Sequence, residues 1–115
     1  MNKVYVVDIS NGVDVSKGSL FGEIIHCVTV SFERNKRLHN TIIAGLVEKL
    51  ENFKPNDYLL PVGNPVLISL AIHEILMKNS EVKILTWDKR DELYVPRRIT
   101  VNNKPFKYTI HDLFS

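Results

Sequence analysis

The chain is poor in cysteine, in net charge and in long apolar runs, and each shortage excludes a class of protein. One cysteine, Cys27, leaves no internal disulfide, which predicts a reducing, cytoplasmic setting. A net charge of +2 with 44% hydrophobic residues excludes a disordered chain. The longest apolar stretch, Val66–Met77, is interrupted by Ser69, His73 and Glu74 and is shorter than the roughly 20 residues of a membrane span. We therefore expect a folded cytoplasmic protein with no membrane contact and, because the first ten residues read as a strand, no secretory signal.

Motifs that carry chemistry are also missing. No GxGxxG, P-loop or GxSxG pattern occurs, and Lys17-Gly18-Ser19 lacks the upstream glycine of a phosphate-binding loop. The four histidines are scattered without the spacing of a zinc site. His26 and Cys27 are neighbours in a predicted strand, so their side chains face opposite ways and are poorly placed as a nucleophilic pair. The sequence therefore predicts no catalytic residue, metal or cofactor, which favours a non-enzymatic role and leaves an enzymatic one open.

Hydropathy patterning divides the chain into strands and helices. Lys3–Ile9 is almost continuously apolar, which is typical of a central strand covered on both faces. Apolar residues spaced three and four apart predict a first helix over Asn40–Phe53. Asn64 and Pro65 suit the start of a second helix, which runs to Lys78. Further strands are predicted at 23–32, 57–62, 81–87 and 93–101, and a short strand at 106–110 is left open.

The order of these elements predicts the fold class. Strands that alternate with helices are typical of an α/β sandwich with parallel central strands. The charged segment Asp88–Glu92 suits a hairpin tip and adds an antiparallel edge. We therefore expect residues 1–115 to form a single α/β domain with a mixed, mostly parallel sheet of about five strands, two helices and a C-terminal antiparallel hairpin.

Two segments that follow predicted strands form the first candidate site. They are the glycine-containing loop Ser10–Gly22 and the turn Gly63–Pro65, which would share the carboxyl edge of a parallel sheet, where α/β folds bind ligands. Long loops are often functional, and a helix start offers N–H groups to an anion. The candidate residues for binding a small anionic or nucleotide-like ligand are Asp8, Ser10, Asn11, Lys17, Gly63 and Asn64. The alternative is a plain surface loop and a capped helix, in which Asp8 caps the loop after the first strand.

Basic residues near the C-terminus form the second candidate site. Residues 83–115 hold seven Lys and Arg against four acids, with aromatic residues between them. Such a face contacts phosphates and stacks on bases. The candidate nucleic-acid-binding residues are Lys89, Arg90, Arg97, Arg98, Lys104 and Lys107. Acids at the hairpin tip oppose this interpretation, and charge on an edge strand also serves to prevent edge-to-edge pairing.

The second predicted helix is apolar around nearly its whole circumference. One face of a sheet does not bury all of that surface, so another element must cover the rest. The candidates are the first helix, the tail with Leu113 and Phe114, and a second copy of the chain. A symmetric homodimer through this helix is one expectation.

Several short segments together suggest a family. They are Val4–Asp8, Phe21–Glu23, Asp57–Leu60, Lys83–Asp88 with Tyr94, and Arg97–Ile99. In these segments the chain resembles a group of small, uncharacterised proteins encoded by bacterial viruses. The resemblance implies a virus-encoded accessory protein in a host cytoplasm and carries no assigned activity. Because catalytic motifs are missing and apolar helix surface is in excess, the leading hypothesis is a non-enzymatic domain that binds a protein partner.

Overall fold

A computed structural model describes residues 2–103 and 106–113, which form a six-stranded sheet with two α-helices. The elements in chain order are β1 (Lys3–Asp8), β2 (Glu23–Val28), α1 (His39–Leu50), β3 (Tyr58–Leu60), α2 (Pro65–Lys78), β4 (Glu81–Asp88), β5 (Leu93–Asn103) and β6 (Phe106–Asp112). The strand order is β2-β1-β3-β4-β5-β6. Strands β1 to β4 run parallel, whereas β5 and β6 are each antiparallel to the strand before. The α/β class, the mixed sheet and the C-terminal antiparallel hairpin are confirmed.

The sheet has one strand more than the five or so that were predicted. Strand β6 pairs along its whole length with Arg97–Asn103 of β5, so the segment that the sequence left open forms an edge of the sheet. Strand β2 ends at Val28 and not at Phe32. A turn follows within the predicted strand, where the Ser31 hydroxyl accepts a hydrogen bond of 3.2 Å from the backbone N–H of Arg34.

The core has two layers, one on each face of β1. Tyr5 and Val7 point toward α1 and α2, whose buried residues complete the first layer. Val4 and Val6 point to the opposite face, where the loop between β1 and β2 covers them with Val15. Side chains alternate along a strand, so a strand that is apolar at consecutive positions must be covered twice. The prediction that β1 is a central strand buried on both faces is confirmed.

Helix α2 is covered mainly by the sheet and by α1. Its buried residues are Leu67, Ala71 and Ile75, and its partly buried apolar residues, which pack on the same core, are Ile68, Leu70, Ile72 and Leu76. Val66 and Met77 remain exposed, at 51% and 68% of their surface. The fold therefore accounts for most of the apolar surface that the sequence left unassigned. Of the two proposed tail residues, Leu113 donates its backbone N–H to the carbonyl oxygen of Pro96 in β5 at 3.1 Å, and Phe114 lies outside the described residues.

A buried carboxylate, Asp57, ties the end of α1 to the sheet. Its Oδ2 accepts the backbone N–H of Lys54 at 2.8 Å, and its Oδ1 accepts that of Lys3 at 2.9 Å. Helix α1 ends at Leu50 and not at Phe53, and in the turn that follows the backbone N–H of Phe53 donates to the carbonyl oxygen of Leu50 at 3.0 Å. Phe53 stays buried although it lies beyond the helix.

Candidate functional site

Three loops meet at the carboxyl ends of β1, β2 and β3 and enclose a crevice of about 470 Å³. Strand β1 lies between β2 and β3; the connection after β1 covers one face of the sheet, whereas α1 and α2, which follow β2 and β3, cover the other. Open α/β sheets bind ligands at such a topological switch point. The residues that line this switch-point crevice are Asp8, Ser10, Asn11, Ser31, Phe32, Glu33, Arg34, Gly63, Asn64 and Pro65. Five of the six residues predicted for ligand binding therefore lie together.

The carboxylate of Asp8 joins two of these loops. The backbone N–H of Ser10 donates to its Oδ1 at 2.9 Å, and the backbone N–H of Asn64 donates to its Oδ2 at 3.0 Å. Asp8 is only 2% exposed. Both oxygens thus stabilise the backbone of the loops, and the interpretation of Asp8 as a cap is confirmed.

Asn64 begins α2 and connects it to the third loop. Its Oδ1 accepts the backbone N–H of Val66 at 2.9 Å, which confirms the predicted N-cap. Its Nδ2 donates to Glu33 Oε1 at 3.2 Å. The side chain is therefore engaged at both ends within the crevice wall.

Lys17, the sixth predicted ligand residue, is not at the crevice. Its ammonium donates to the backbone oxygen of Glu92 at 2.8 Å and lies 5.6 Å from the centre of the Trp87 ring. The charged residues that do line the crevice are two carboxylates, Asp8 and Glu33, and one cation, Arg34. Among the described lining residues, the carboxylates therefore outnumber the cations, and Lys17 adds no charge to the crevice.

The wall formed by residues 31–34 was missed by sequence reasoning. Phe32 was predicted to belong to a strand, whereas its ring stacks on His39 with centroids 3.9 Å apart. His39 Nε2 also donates to the carbonyl oxygen of Phe32 at 2.6 Å. The serine at position 31, a residue typical of turns, was the signal that the strand ends earlier.

A second cavity, of about 420 Å³, lies beside the β4–β5 hairpin. We call it the hairpin groove, and its lining residues are Phe21, Asp88, Asp91, Leu93, Tyr94, Val95 and Pro96. Five of these seven are apolar or aromatic. The sequence feature that could have indicated this groove is Leu93–Pro96. These consecutive apolar residues begin a strand, and because side chains alternate along a strand they cannot all pack on the same face of the sheet.

The six predicted nucleic-acid residues do not form one surface. Arg97 and Arg98 are neighbours in β5 and face opposite sides of the sheet: Arg97 Nε donates to Thr86 Oγ1 at 3.3 Å, whereas Arg98 Nε lies 3.8 Å from Glu81 Oε2. Lys89 and Arg90 are exposed at the hairpin tip. Lys104 lies outside the described residues, and Lys107 belongs to β6.

Cys27 belongs to the helix-side layer of the core. Burial raises the pKa of its thiol to about 12, so the nucleophilic thiolate is scarce at neutral pH. His26 beside it is exposed, as the alternation of side chains predicts. Among residues 2–103 and 106–113 no three His, Cys, Asp or Glu side chains are grouped to hold a metal ion. Neither helix in these ranges has the length and apolarity of a membrane span.

Comparison with known proteins supplies the family. No curated protein and no solved structure matches the chain. Residues 2–101 match the family model described as phage Pam3 gp32-like protein. This match confirms the resemblance to proteins of bacterial viruses. Because it spans nearly the whole chain, the protein belongs to the phage Pam3 gp32-like family.

Proposed function

We propose that this phage protein is a non-enzymatic accessory protein that acts in the host cytoplasm by binding a protein partner at the hairpin groove. The observation that carries the proposal is an apolar groove beside a strand edge that β6 does not pair. Extended peptide segments bind at such edges by adding a strand, while pockets select their side chains.

The walls of the groove are held by aromatic packing. The ring of Phe21 lies edge-on to Tyr58, with centroids 5.4 Å apart, and Tyr94 lies edge-on to Trp87 at 4.9 Å. Leu93 is 41% exposed at the opening of the groove. A groove with fixed walls loses little conformational entropy when a partner side chain enters.

The part of β5 next to the groove does not pair with β6. Strand β6 pairs with β5 only from Arg97 onward, and the carbonyl of Pro96 accepts the N–H of Leu113 at 3.1 Å. The Val95 carbonyl points to β4, where it accepts the Thr86 hydroxyl at 3.3 Å. Backbone groups alternate in direction along an antiparallel strand, so the N–H and C=O of Tyr94 point away from β4. They supply the hydrogen bonds for an added strand.

The charge of the lining defines the partner further. Of the described residues that line the groove, Asp88 and Asp91 are acidic and none is cationic. Asp88 Oδ1 accepts the backbone N–H groups of Arg90 and Asp91 at 2.9 and 3.2 Å, which holds the tip of the hairpin, and Asp91 itself is exposed. The partner is therefore an extended segment with an apolar side chain for the groove and a neighbouring Lys or Arg.

Selection from a displayed library of random peptides of about ten residues tests this proposal. We expect the protein to enrich peptides that pair an apolar with a basic residue, and their binding to shift the amide resonances of Leu93–Val95. Leu93→Glu should abolish the enrichment. The matched control is Leu20→Glu, because Leu20 is 81% exposed outside the groove lining. No enrichment, or equal binding to Leu93→Glu, contradicts the proposal.

Two further variants define the occupant. Asp91→Lys should remove the preference for a basic residue, whereas Glu48→Lys, the same charge change on the exposed side of α1, should keep it. Enrichment that appears only in a variant ending at Leu113 would show that the chain's own last residues occupy the groove, and would overturn the proposal.

The switch-point crevice supports a second candidate function, the binding of a small nucleotide-like ligand. The observation that favours it is that five predicted residues meet at the position where α/β sheets bind ligands. Since Asp8 and Glu33 outnumber Arg34, we expect contacts from the polar loop groups to dominate and inorganic phosphate to bind poorly. A thermal-shift screen of nucleosides, nucleotides and phosphate tests this, and no rise in melting temperature with any of them rejects it.

We also propose that the protein forms a homodimer through α2. The support is that Val66 and Met77, both exposed, lie eleven residues apart on one side of the helix with Ser69 and His73 between them. Sedimentation equilibrium should give a dimer that Met77→Glu converts to a monomer, while Lys78→Glu leaves it intact. A monomer at high concentration of the unmodified protein would refute this arrangement.

A further inference from the structure

We infer that the second face of the sheet binds single-stranded nucleic acid through a row of side chains that crosses four strands. The strand registers place Tyr58, Lys83, Arg98 and His111 side by side in β3, β4, β5 and β6. Paired residues in neighbouring strands point to the same face. With about 4.8 Å between strands, the row is about 14 Å long.

The loop between β1 and β2 covers the β1 half of this face and reaches the row at Tyr58, whose ring Phe21 meets edge-on at a centroid distance of 5.4 Å. Gly18 of that loop sits against Leu60 and Val4, and Val15 is buried beside them. The row itself is accessible: His111 is exposed, and the other three members are partly exposed. The Arg98 side chain keeps 39% of its surface accessible.

The row combines cations with an aromatic ring. The ammonium of Lys83 lies 5.4 Å from the centre of the Tyr58 ring. Arg98 Nε is a buried donor without a hydrogen-bond partner among the described residues, although Glu81 lies nearby at 3.8 Å. Among the described side chains of this part of the face, Lys83, Arg98 and His111 therefore accompany a single carboxylate, that of Glu81. A polyanion complements this charge.

The aromatic ring and the flat surface favour a single strand over a duplex. Unpaired bases stack on aromatic side chains that project from a sheet, while lysine and arginine contact the phosphates. Bases inside a duplex are already stacked and present no free face to Tyr58. The surface shares only Arg98 with the set that the sequence predicted, because the other members of that set lie at the hairpin tip, on the opposite face or outside the described side chains.

Fluorescence anisotropy with a labelled oligothymidylate of about 20 nucleotides tests the inference. With two to three cations engaged, raising salt from about 50 to 200 mM should weaken binding roughly tenfold. Lys83→Gln combined with Arg98→Gln should weaken binding at low salt at least tenfold. Lys89→Gln combined with Arg90→Gln removes the same charge from the hairpin tip and should change binding less than threefold.

Two more measurements separate this site from general attraction to a basic protein. Tyr58→Leu should weaken binding roughly tenfold through lost stacking, and Tyr58→Phe should retain it. A duplex of the same length should compete poorly. The inference is overturned if the oligonucleotide does not bind, if both double variants lose affinity equally, or if the duplex competes as well as the single strand. Leu93→Glu leaves the row intact and tests the hairpin-groove proposal separately, whereas Tyr58 packs against Phe21 of the groove and its variants test only the row.

Discussion

Gly63 lies so close to Asp8 that no side chain fits at position 63. A Cβ there would lie 2.7 Å from Asp8 Cγ, and its backbone has a φ of +104°, which L-residues rarely adopt. This contact lets the loop after β3 pass over the end of β1, so that the backbone of Asn64 reaches the Asp8 carboxylate. The packing of the switch-point crevice depends on it.

Gly63→Ala should therefore be strongly destabilising. Both the overlap with Asp8 and the positive φ act against it, and we expect a loss of about 3 kcal/mol or more in the free energy of unfolding, measured by urea denaturation. Gly12→Ala is the matched control, because Gly12 also has a positive φ, +77°, but no atom within 4 Å of an added Cβ. It should cost about 1 kcal/mol. Equal losses would show that the contact with Asp8 is unimportant.

The two buried aspartates should contribute similarly to stability. Asp8 and Asp57 each accept two backbone N–H groups, and an amide in place of either carboxylate leaves one N–H facing another donor. We expect Asp8→Asn and Asp57→Asn each to lower the free energy of unfolding by about 2 kcal/mol. Asp14→Asn, at an exposed turn, should change it little. If Asp8→Asn matched the Asp14 control, the carboxylate would not join the loops.

Local sequence patterns predicted the strands and helices, whereas the positions of the candidate site residues depend on the tertiary structure. The apolar run of β1 and the cap at Asn64 depend on neighbours in sequence, so both were correct. The meeting of the loops depends on the position of β1 between β2 and β3, which composition does not encode. Lys17 was wrongly assigned to the crevice because its loop directs the side chain toward the β4–β5 hairpin, where the ammonium reaches Glu92 and Trp87. Arg97 and Arg98 were grouped by charge although strand alternation separates them.

Lys17 should shield the one tryptophan of the chain. Its ammonium holds the Glu92 carbonyl and lies over the Trp87 ring, so it restrains the hairpin tip. We expect Lys17→Met to raise acrylamide quenching of Trp87 fluorescence and to lower stability by less than about 1 kcal/mol. Lys89→Met, at the exposed tip, should leave quenching unchanged. Unchanged quenching in Lys17→Met would mean that the contact does not persist in solution.

Cys27 should be inert in the folded protein. Burial raises the pKa of its thiol from 9.0 to about 12, while unfolding returns it to the ordinary range. Because thiol reagents attack the thiolate, at pH 8 the folded protein should react roughly a thousandfold more slowly than the urea-unfolded chain. The folded pKa is raised, so the stability linked to this thiol is fully present below pH 9 and is lost as the pH rises toward 12. Mass-spectrometric detection of iodoacetamide labelling measures both states, and Cys27→Ser, which removes the only thiol, sets the background. Rapid labelling of the folded chain would show that β2 opens on the timescale of the reaction.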